Sequence, residues 1–204
     1  DAIYLSKSSH FYVVADGMGG HSGGDLASTM AIKYLSEYIK RETSEESFDA
    51  AKVTRDGILD ANGRIKNFAD TDDALHGMGT TVVSVLLGND KLSIGNVGDS
   101  RAYLISNNQI FQISSDHSLV QEKLNVGIYN RQEAADDTQK NILSRTVGFD
   151  DNVEIDVFTV TPSKGDMFLL SSDGLHGKVT DEDILYIIKR SLSDKEINFT
   201  NVRD

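Results

Sequence analysis

Three aspartates of this chain share one setting, since each follows an apolar run and adjoins glycine. They are Asp16 in Val13-Val14-Ala15-Asp16-Gly17, Asp99 in Val97-Gly98-Asp99-Ser100, and Asp173 in Leu169-Leu170-Ser171-Ser172-Asp173-Gly174. An aspartate at the end of a strand is a carboxylate that is held on rigid backbone and faces water. Several such carboxylates together form an all-oxygen site, which suits a hard divalent cation. Asp1 and Asp204, at the two ends of the sequence, are counted with them as predicted metal ligands.

Each of these turns also has a simpler interpretation. Asp16 can belong to a strand-to-helix turn, where the helix dipole favours an acid, and Asp99 can pair with Arg101 in a turn. Gly17 permits close approach of its backbone, so its carbonyl could bind a cation beside Asp16. The glycine-rich run after Asp16 lacks the Gly-Lys-Ser/Thr ending of a phosphate-binding loop, which argues against a nucleotide site. Because one design occurs three times, the sequence favours the metal site.

The chemistry that such a site performs is hydrolysis. Two divalent ions that share a carboxylate lie roughly 3.5–4 Å apart and lower the pKa of a bound water to about 7. That water can attack phosphorus while the ions neutralise charge on the phosphoryl oxygens. No covalent nucleophile is needed, which agrees with a sequence without Cys. His21 follows closely after Asp16 and is predicted to be a general acid, although a single histidine is often only a surface residue.

The composition restricts the class of protein. The chain has 204 residues, and we expect one catalytic domain over residues 1–204. The formal net charge of −12 argues against nucleic acids and anionic membranes as partners. No apolar run approaches the roughly 20 residues of a membrane-spanning helix, and the absence of Cys fits a cytoplasmic, reducing compartment. The sequence begins within a strand pattern and stops abruptly, so both ends of the domain are expected to be cut.

Hydrophobic periodicity predicts the elements that must position the aspartates. Short or alternating apolar runs predict strands over residues 2–5, 11–15, 79–87, 91–96, 101–106, 109–113, 153–160 and 167–171, the last of them buried. Helical spacing predicts helices over residues 27–38, 47–69, 119–124 and 181–189. Strands joined by hairpins, with helices in separate blocks, indicate an antiparallel α+β fold. The long polar segment 118–148 is expected to be functional or mobile.

Around these aspartates the chain resembles the metal-dependent type-2C Ser/Thr protein phosphatases in their compact bacterial form. Six motifs follow in that family's order: Ala15-Asp16-Gly17-Met18-Gly19-Gly20-His21, Gly79-Thr80-Thr81, Gly95-Asn96-Val97-Gly98-Asp99-Ser100-Arg101, Asp116-His117-Ser118-Leu119-Val120, Leu143-Ser144-Arg145-Thr146-Val147-Gly148 and Ser171-Ser172-Asp173-Gly174-Leu175. The resemblance covers nearly the whole chain. It implies two packed antiparallel β-sheets flanked by helix pairs, a four-layer α-β-β-α sandwich.

The resemblance also implies roles for the aspartates. Asp16 would bridge two Mg²⁺ or Mn²⁺ ions, the Gly17 carbonyl would bind one of them, and Asp173 would be a ligand of this core site. Asp99, together with Asp173, would hold a third and weaker ion. Residues 118–148 would include a mobile flap beside the cleft.

The sequence departs from the family at both ends. Asp1 would be the last residue of an Asn-Glu/Gln-Asp motif, and the phosphate-binding Arg that precedes this motif in the family has no counterpart here. Arg203-Asp204 would begin the terminal Gly/Arg-Asp-Asn motif. The interval of 31 residues from Asp173 to Asp204 is shorter than the family leads us to expect.

The predicted activity is hydrolysis of phosphoserine and phosphothreonine in proteins. The protein is expected to be a monomer. Its expected partners are phosphoproteins and a cognate Ser/Thr kinase. Two alternatives stay open. The chain could be a pseudophosphatase that binds without turnover, or a Ca²⁺-binding structural domain, although it lacks the twelve-residue loop of alternating acids that such domains use.

Overall fold

The computed structural model of the chain describes residues 1–19, 21–44 and 47–193, without the side chains of residues 21, 22, 131, 135 and 136. Its strands are β1 Ala2–Ser6, β2 Phe11–Ala15, β3 Gly17–Met18, β4 Gly79–Thr80, β5 Val82–Leu87, β6 Leu92–Val97, β7 Arg101–Ser106, β8 Gln109–Gln112, β9 Asp156–Val160 and β10 Met167–Ser171. Its helices are α1 His21–Glu42, α2 Ala50–Ala69, α3 Leu119–Asn125, α4 Arg131–Asp136, α5 Asp173–His176 and α6 Asp181–Ser193. A short 3₁₀ turn, Asp73–Leu75, precedes β4.

The strands of the described residues form three sheets, and every pairing in them is antiparallel. The five-stranded sheet has the order β1-β2-β5-β6-β9, the three-stranded sheet has the order β10-β7-β8, and β3 pairs with β4. The hairpin from β7 to β8 turns at Asn107 and Asn108. Their φ angles of 50° and 65° are the left-handed values that a tight two-residue turn requires.

The five-stranded sheet separates two hydrophobic cores. One face packs under α1 and α2 through residues such as Phe11 and Leu86. The opposite face packs on the three-stranded sheet, where Val83 and Val85 share a core with Phe168. β5 therefore buries both of its faces, which explains its unbroken apolar sequence. α6 packs against β8 on the far side, and the predicted α+β sandwich of two packed sheets with outer helices is confirmed.

Several element boundaries differ from the sequence prediction, and two of the differences have clear local reasons. α2 begins at Ala50, later than predicted, because the Asp49 side chain caps its first turn by accepting two backbone hydrogen bonds. The predicted strand 79–87 is divided into β4 and β5 at Thr81, whose N–H donates to the carbonyl of Asp16. The division matters for the site, because Thr81 lies outside the regular strand pairing at the position where β2 ends.

Two further differences concern burial and a missed helix. β10 is half-exposed from Met167 to Leu170 rather than buried, because it forms an edge of the three-stranded sheet within the described residues. α4 was not predicted, since it is short and has no clear periodicity. It is held instead by a capping box between Asn130 and Glu133. None of the helices that the structure describes is long and apolar enough to cross a membrane.

Candidate metal centre

Asp16 and Asp173 meet although they follow strands of two different sheets. Asp16 comes directly after β2, and Asp173 follows β10 and opens α5. Burial, then the negative charge of Asp173, and then a hydrogen bond with the Asp173 side chain raise the pKa of Asp16 to about 6. The negative charge of Asp173 makes the charged form of Asp16 less favourable, and a cation bound beside the two side chains would offset this repulsion. The pair therefore favours the binding of a cation.

Asp99 lies in the predicted turn, between β6 and β7. Burial raises its pKa to about 6, and the negative charges of Asp173 and Asp116 add to this effect. The charge of Asp173 thus acts on both Asp16 and Asp99. Asp173 is the carboxylate that the core pair and the Asp99 turn have in common.

Asp1 reaches the same end of the strands. β1 pairs antiparallel with β2 so that Ala2 lies opposite Ala15, which leaves Asp1 beside the start of the Asp16 turn. The Ser172 hydroxyl donates a hydrogen bond of 3.1 Å to Asp1 Oδ2. The structure therefore brings Asp1 next to the turn that carries Asp173.

The backbone of Gly17 approaches α1 closely. A β-carbon added at Gly17 would lie 1.9 Å from the Gly24 carbonyl oxygen, so only glycine fits there. This approach is to the backbone of α1 and not to a ligand, and the role of the Gly17 carbonyl as a cation ligand stays a prediction. The side chain of His21 and the whole of Asp204 lie outside the described residues, so their roles also stay predictions.

A cation at this position would need oxygens besides those of the described carboxylates. Among the residues that the structure describes, no three His, Asp or Glu side chains converge closely enough to hold an ion by themselves. Mg²⁺ in proteins usually keeps several waters and binds through one or two carboxylates, and Mn²⁺ suits the same oxygen donors. The Asp16–Asp173 pair is a donor set of this kind, and the residues present fit Mg²⁺ or Mn²⁺.

Two histidines, for which the sequence analysis predicts no role, bind the backbone of the Asp99 turn. The Gly98 N–H donates to His117 Nδ1 at 3.2 Å, and His176 Nε2 donates to the Asp99 carbonyl at 3.1 Å. Burial lowers the pKa of both histidines, which keeps them neutral at pH 7. Because Nδ1 of His117 accepts, its proton lies on Nε2, which is 3.2 Å from a carboxylate oxygen of Asp156. Each ring thus fixes one backbone group of the turn.

Arg101 pairs with Asp116, which replaces the simpler interpretation of a turn pair between Arg101 and Asp99. Its Nε and Nη2 atoms donate to the two carboxylate oxygens of Asp116 at 2.8 and 2.6 Å, and its Nη1 donates to the Tyr103 hydroxyl at 3.2 Å. Gln112 donates a further hydrogen bond to Asp116 at 3.0 Å. The ion pair is largely buried, with side chains 24% and 12% exposed. It ties β7 to the loop that follows β8, on the floor of the site.

A cleft of about 490 Å³ opens beside these carboxylates. Its floor includes Asp99, Asp116 and Asp173. Residues of the segment 118–148 form much of one wall, namely Ser118, Val120, Gln121, Leu124, Ala134, Lys140 and Asn141. A wall made of α3, α4 and the following turn therefore stands beside Asp99 and Asp173.

The segment 118–148 is closed at its base. Ser118 pairs with Leu143 in one isolated bridge, and Val147 pairs with Thr80 in another. Val147 is fully buried in the core under α1 and α2. The part that can act as a separate wall is therefore shorter than the predicted flap and lies between the Ser118 and Leu143 positions.

Comparison with known proteins agrees with this geometry. The family model described as protein phosphatase 2C matches residues 1–197. The chain belongs to the protein phosphatase 2C family. The serine/threonine phosphatase stp of Listeria welshimeri is 41% identical over 186 residues, which are 90% of this chain and 74% of that protein. The family resemblance that the six motifs indicate is thus confirmed.

Solved structures of phosphatases 2C share the fold. The crystal structure of the serine/threonine phosphatase Stp1 from Staphylococcus aureus is similar with a TM-score of 0.83 and 34% identity, over 98% of this chain and 77% of that chain. The catalytic domain of the serine/threonine phosphatase PstP, in complex with two manganese ions, is similar with a TM-score of 0.81 and 29% identity, over 92% and 76% of the two chains.

Proposed function

We infer that this chain is a metal-dependent protein phosphatase that hydrolyses the phosphate esters of serine and threonine in proteins. The observation that supports this conclusion is the pair formed by the Asp16 and Asp173 side chains. The negative charge of Asp173 also raises the pKa of Asp99. The relatives described above are serine/threonine phosphatases, and the PstP catalytic domain binds two manganese ions. When bound, Mn²⁺ or Mg²⁺ supplies an activated water and neutralises the phosphoryl oxygens.

The described residues have distinct tasks in this proposal. Asp16 and Asp173 would hold two core ions, and the Gly17 carbonyl would contribute a further oxygen. Asp99 and Asp173 would hold a third, weaker ion. The turn of Asp99 can keep its carboxylate in place because its flanking backbone groups are bound by His117 and His176.

The ends of the chain complete the proposed site. Asp1 contributes a carboxylate from beside Ser172, and Asp204 contributes one from the last residue of the sequence. His21 is the proposed general acid that protonates the leaving serine or threonine oxygen.

The substrates are phosphoproteins, and we place a cognate Ser/Thr kinase as the enzyme that supplies them. The protein acts in the cytoplasm as a monomer in this proposal, which fits a sequence without Cys and with a formal net charge of −12. In this proposal residues 1–204 belong to a single catalytic domain, whose flap is the wall between Ser118 and Leu143.

The deciding experiment is phosphate release from a phosphothreonine peptide by the full-length protein, in Mn²⁺ and in a chelator. We expect release that requires Mn²⁺ and that Asp173→Asn abolishes. A protein that binds the phosphopeptide but releases no phosphate at any Mn²⁺ concentration would be a pseudophosphatase instead. The matched control is Asp90→Asn, which removes one negative charge from an exposed hairpin turn away from the cleft.

A further inference from the structure

Thr81 holds the backbone of Asp16 from two sides. The Asp16 N–H donates to Thr81 Oγ1 at 2.9 Å, and the Thr81 N–H donates to the Asp16 carbonyl at 2.8 Å. Thr81 is only 2% exposed, so water cannot replace these bonds. The Asp16 carbonyl also accepts a hydrogen bond of 2.9 Å from Thr80 Oγ1, so two buried threonines hold this residue, and Thr81 is the one that binds its N–H.

The same side chain also reaches the turn of Asp99. Thr81 Oγ1 lies 2.7 Å from Ser100 Oγ, and Ser100 is fully buried. The Thr81 methyl group packs on the other side of the turn, because a β-carbon added at Gly98 would lie 2.6 Å from Thr81 Cγ2. Gly98 also has a φ of +98°, a conformation that favours glycine. Thr81 thus touches both residues that flank Asp99.

The order of the strands explains why one residue can contact both turns. β5 lies between β2 and β6 and runs antiparallel to both. Thr81 stands immediately before β5, at the edge where β2 ends in Asp16 and β6 ends before Asp99. Since Thr81 belongs neither to β4 nor to β5, its side chain is free of the regular alternation and lies between the two turns.

We propose that Thr81 is a positioning residue whose hydroxyl sets the separation between Asp16 and Asp99, and through it the affinity of the whole site for divalent cations. This inference rests on the proposed function, because it takes the two aspartates as metal ligands. Without the hydroxyl, the Asp16 N–H and the Ser100 hydroxyl lose a buried hydrogen-bond partner, which destabilises the arrangement of the two turns. The turns of Asp16 and Asp99 are then no longer joined through a single hydroxyl group.

The test measures Mn²⁺ binding by calorimetry in chelator-stripped full-length protein. Thr81→Val keeps the shape and removes the hydroxyl, and we expect it to weaken Mn²⁺ binding by about ten- to a hundredfold. Thr81→Ser restores the hydroxyl without the methyl group and is expected to recover most of the affinity. Ser100→Ala breaks only the link to the Asp99 turn, and is expected to weaken binding by a smaller factor.

The matched control is Thr54→Val. Thr54 is as buried as Thr81, but its hydroxyl has no hydrogen-bond partner in the described structure, so its loss should leave Mn²⁺ binding unchanged. Wild-type affinity in Thr81→Val, or equal weakening in Thr81→Ser, would overturn the inference while the wild type still binds Mn²⁺. If Thr81→Val does not fold, wild-type affinity in Ser100→Ala would overturn it. A wild type that binds no Mn²⁺ would overturn the proposed function and this inference together.

Discussion

Asp116 receives two parallel hydrogen bonds from the Arg101 guanidinium, at 2.8 and 2.6 Å, in the floor of the cleft. Such a planar fork is specific to arginine. Arg101 and Asp116 are fifteen residues apart along the chain, and the β7–β8 hairpin brings them together. The pair is mostly buried, so its loss leaves an unpaired charge in a poorly solvated place.

We therefore expect Asp116→Asn to lower the free energy of unfolding by about 3 kcal/mol. Asp56→Asn breaks an exposed ion pair with Lys52 on the surface of α2, where such a pair contributes little to the free energy of unfolding. Chemical denaturation of both variants gives the comparison. Equal losses in the two variants would contradict a special role for the buried pair.

Asp173→Asn is expected to reduce metal-dependent turnover by at least about a hundredfold. The reason is that Asp173 acts on both Asp16 and Asp99, so its loss removes an anionic donor from the core and from the third site. The variant should remain folded, because the Asp173 carboxylate lies beside other carboxylates and its charge repels them. Turnover with a small aryl phosphate over a range of Mn²⁺ concentrations measures the effect. Wild-type turnover would show that the carboxylate pair is not the reaction centre.

Asp99→Asn should separate the third ion from the core. We expect the two core ions to bind as in the wild type, with lower turnover and a higher Mn²⁺ requirement, because the variant loses one carboxylate of the weaker site only. A metal titration of activity, together with a count of bound ions in the crystal, checks this. Turnover equal to the wild type at every Mn²⁺ concentration would mean that Asp99 serves only the turn.

The raised pKa of Asp16 predicts a pH-dependent difference between the wild type and Asp16→Asn in chelator. The folded pKa is about 6 and the ordinary value is 3.8, so the folded protein binds more protons between these limits. Its stability therefore falls as pH rises through this window. Asp16→Asn lacks this group. Any gain in its free energy of unfolding over the wild type should therefore be absent near pH 4 and present at pH 7.

Thermal unfolding of the two proteins at several pH values measures this difference. His117 and His176 have lowered pKa values and the opposite sign of pH dependence. They are present in both proteins, so their contributions cancel in the comparison. A difference in stability between Asp16→Asn and the wild type that is the same at pH 4 and pH 7 would show that Asp16 does not cause the pH dependence.

The wall between Ser118 and Leu143 should control peptide preference. Replacing the stretch between them with that of another family member is expected to change the relative rates on different phosphopeptides. Hydrolysis of a small aryl phosphate should change little, because that substrate needs only the ions and the floor of the cleft. Parallel losses on both kinds of substrate would mean that the wall supports the metal centre instead. We also expect elevated mobility from Val126 to Asp137 in a crystal structure.

The sequence predicted the strand-end aspartates well because their signal is local. An apolar run with Asp and an adjacent Gly marks the end of a strand, and the structure places Asp16, Asp99 and Asp173 after such ends. Only Asp173 is exposed, whereas Asp16 and Asp99 are half-buried rather than facing water as predicted. The hairpin at Asn107 and Asn108 was predictable for the same reason.

Contacts that depend on tertiary structure were not predictable. The partner of Arg101 is set by where the chain after β8 returns, and the adjacent Asp99 looked equally suitable in the sequence. His117 and His176 gave no signal, because a single histidine is ambiguous until its ring is seen to bind a backbone group. The exposure of β10 follows from its place at a sheet edge, which its own apolar sequence does not reveal.

The contact between Gly17 and Gly24 limits how this protein can vary. A β-carbon at Gly17 would lie 1.9 Å from the Gly24 carbonyl oxygen, and one at Gly24 would lie 2.7 Å from the Gly17 carbonyl oxygen. Both added β-carbons would clash with backbone atoms, so no change of rotamer at a neighbouring residue can relieve either clash. In a saturation library, both positions should therefore reject every substitution, alone or in combination. Adaptation to new targets is left to the exposed wall of the cleft, while the junction of β3 with α1 stays invariant.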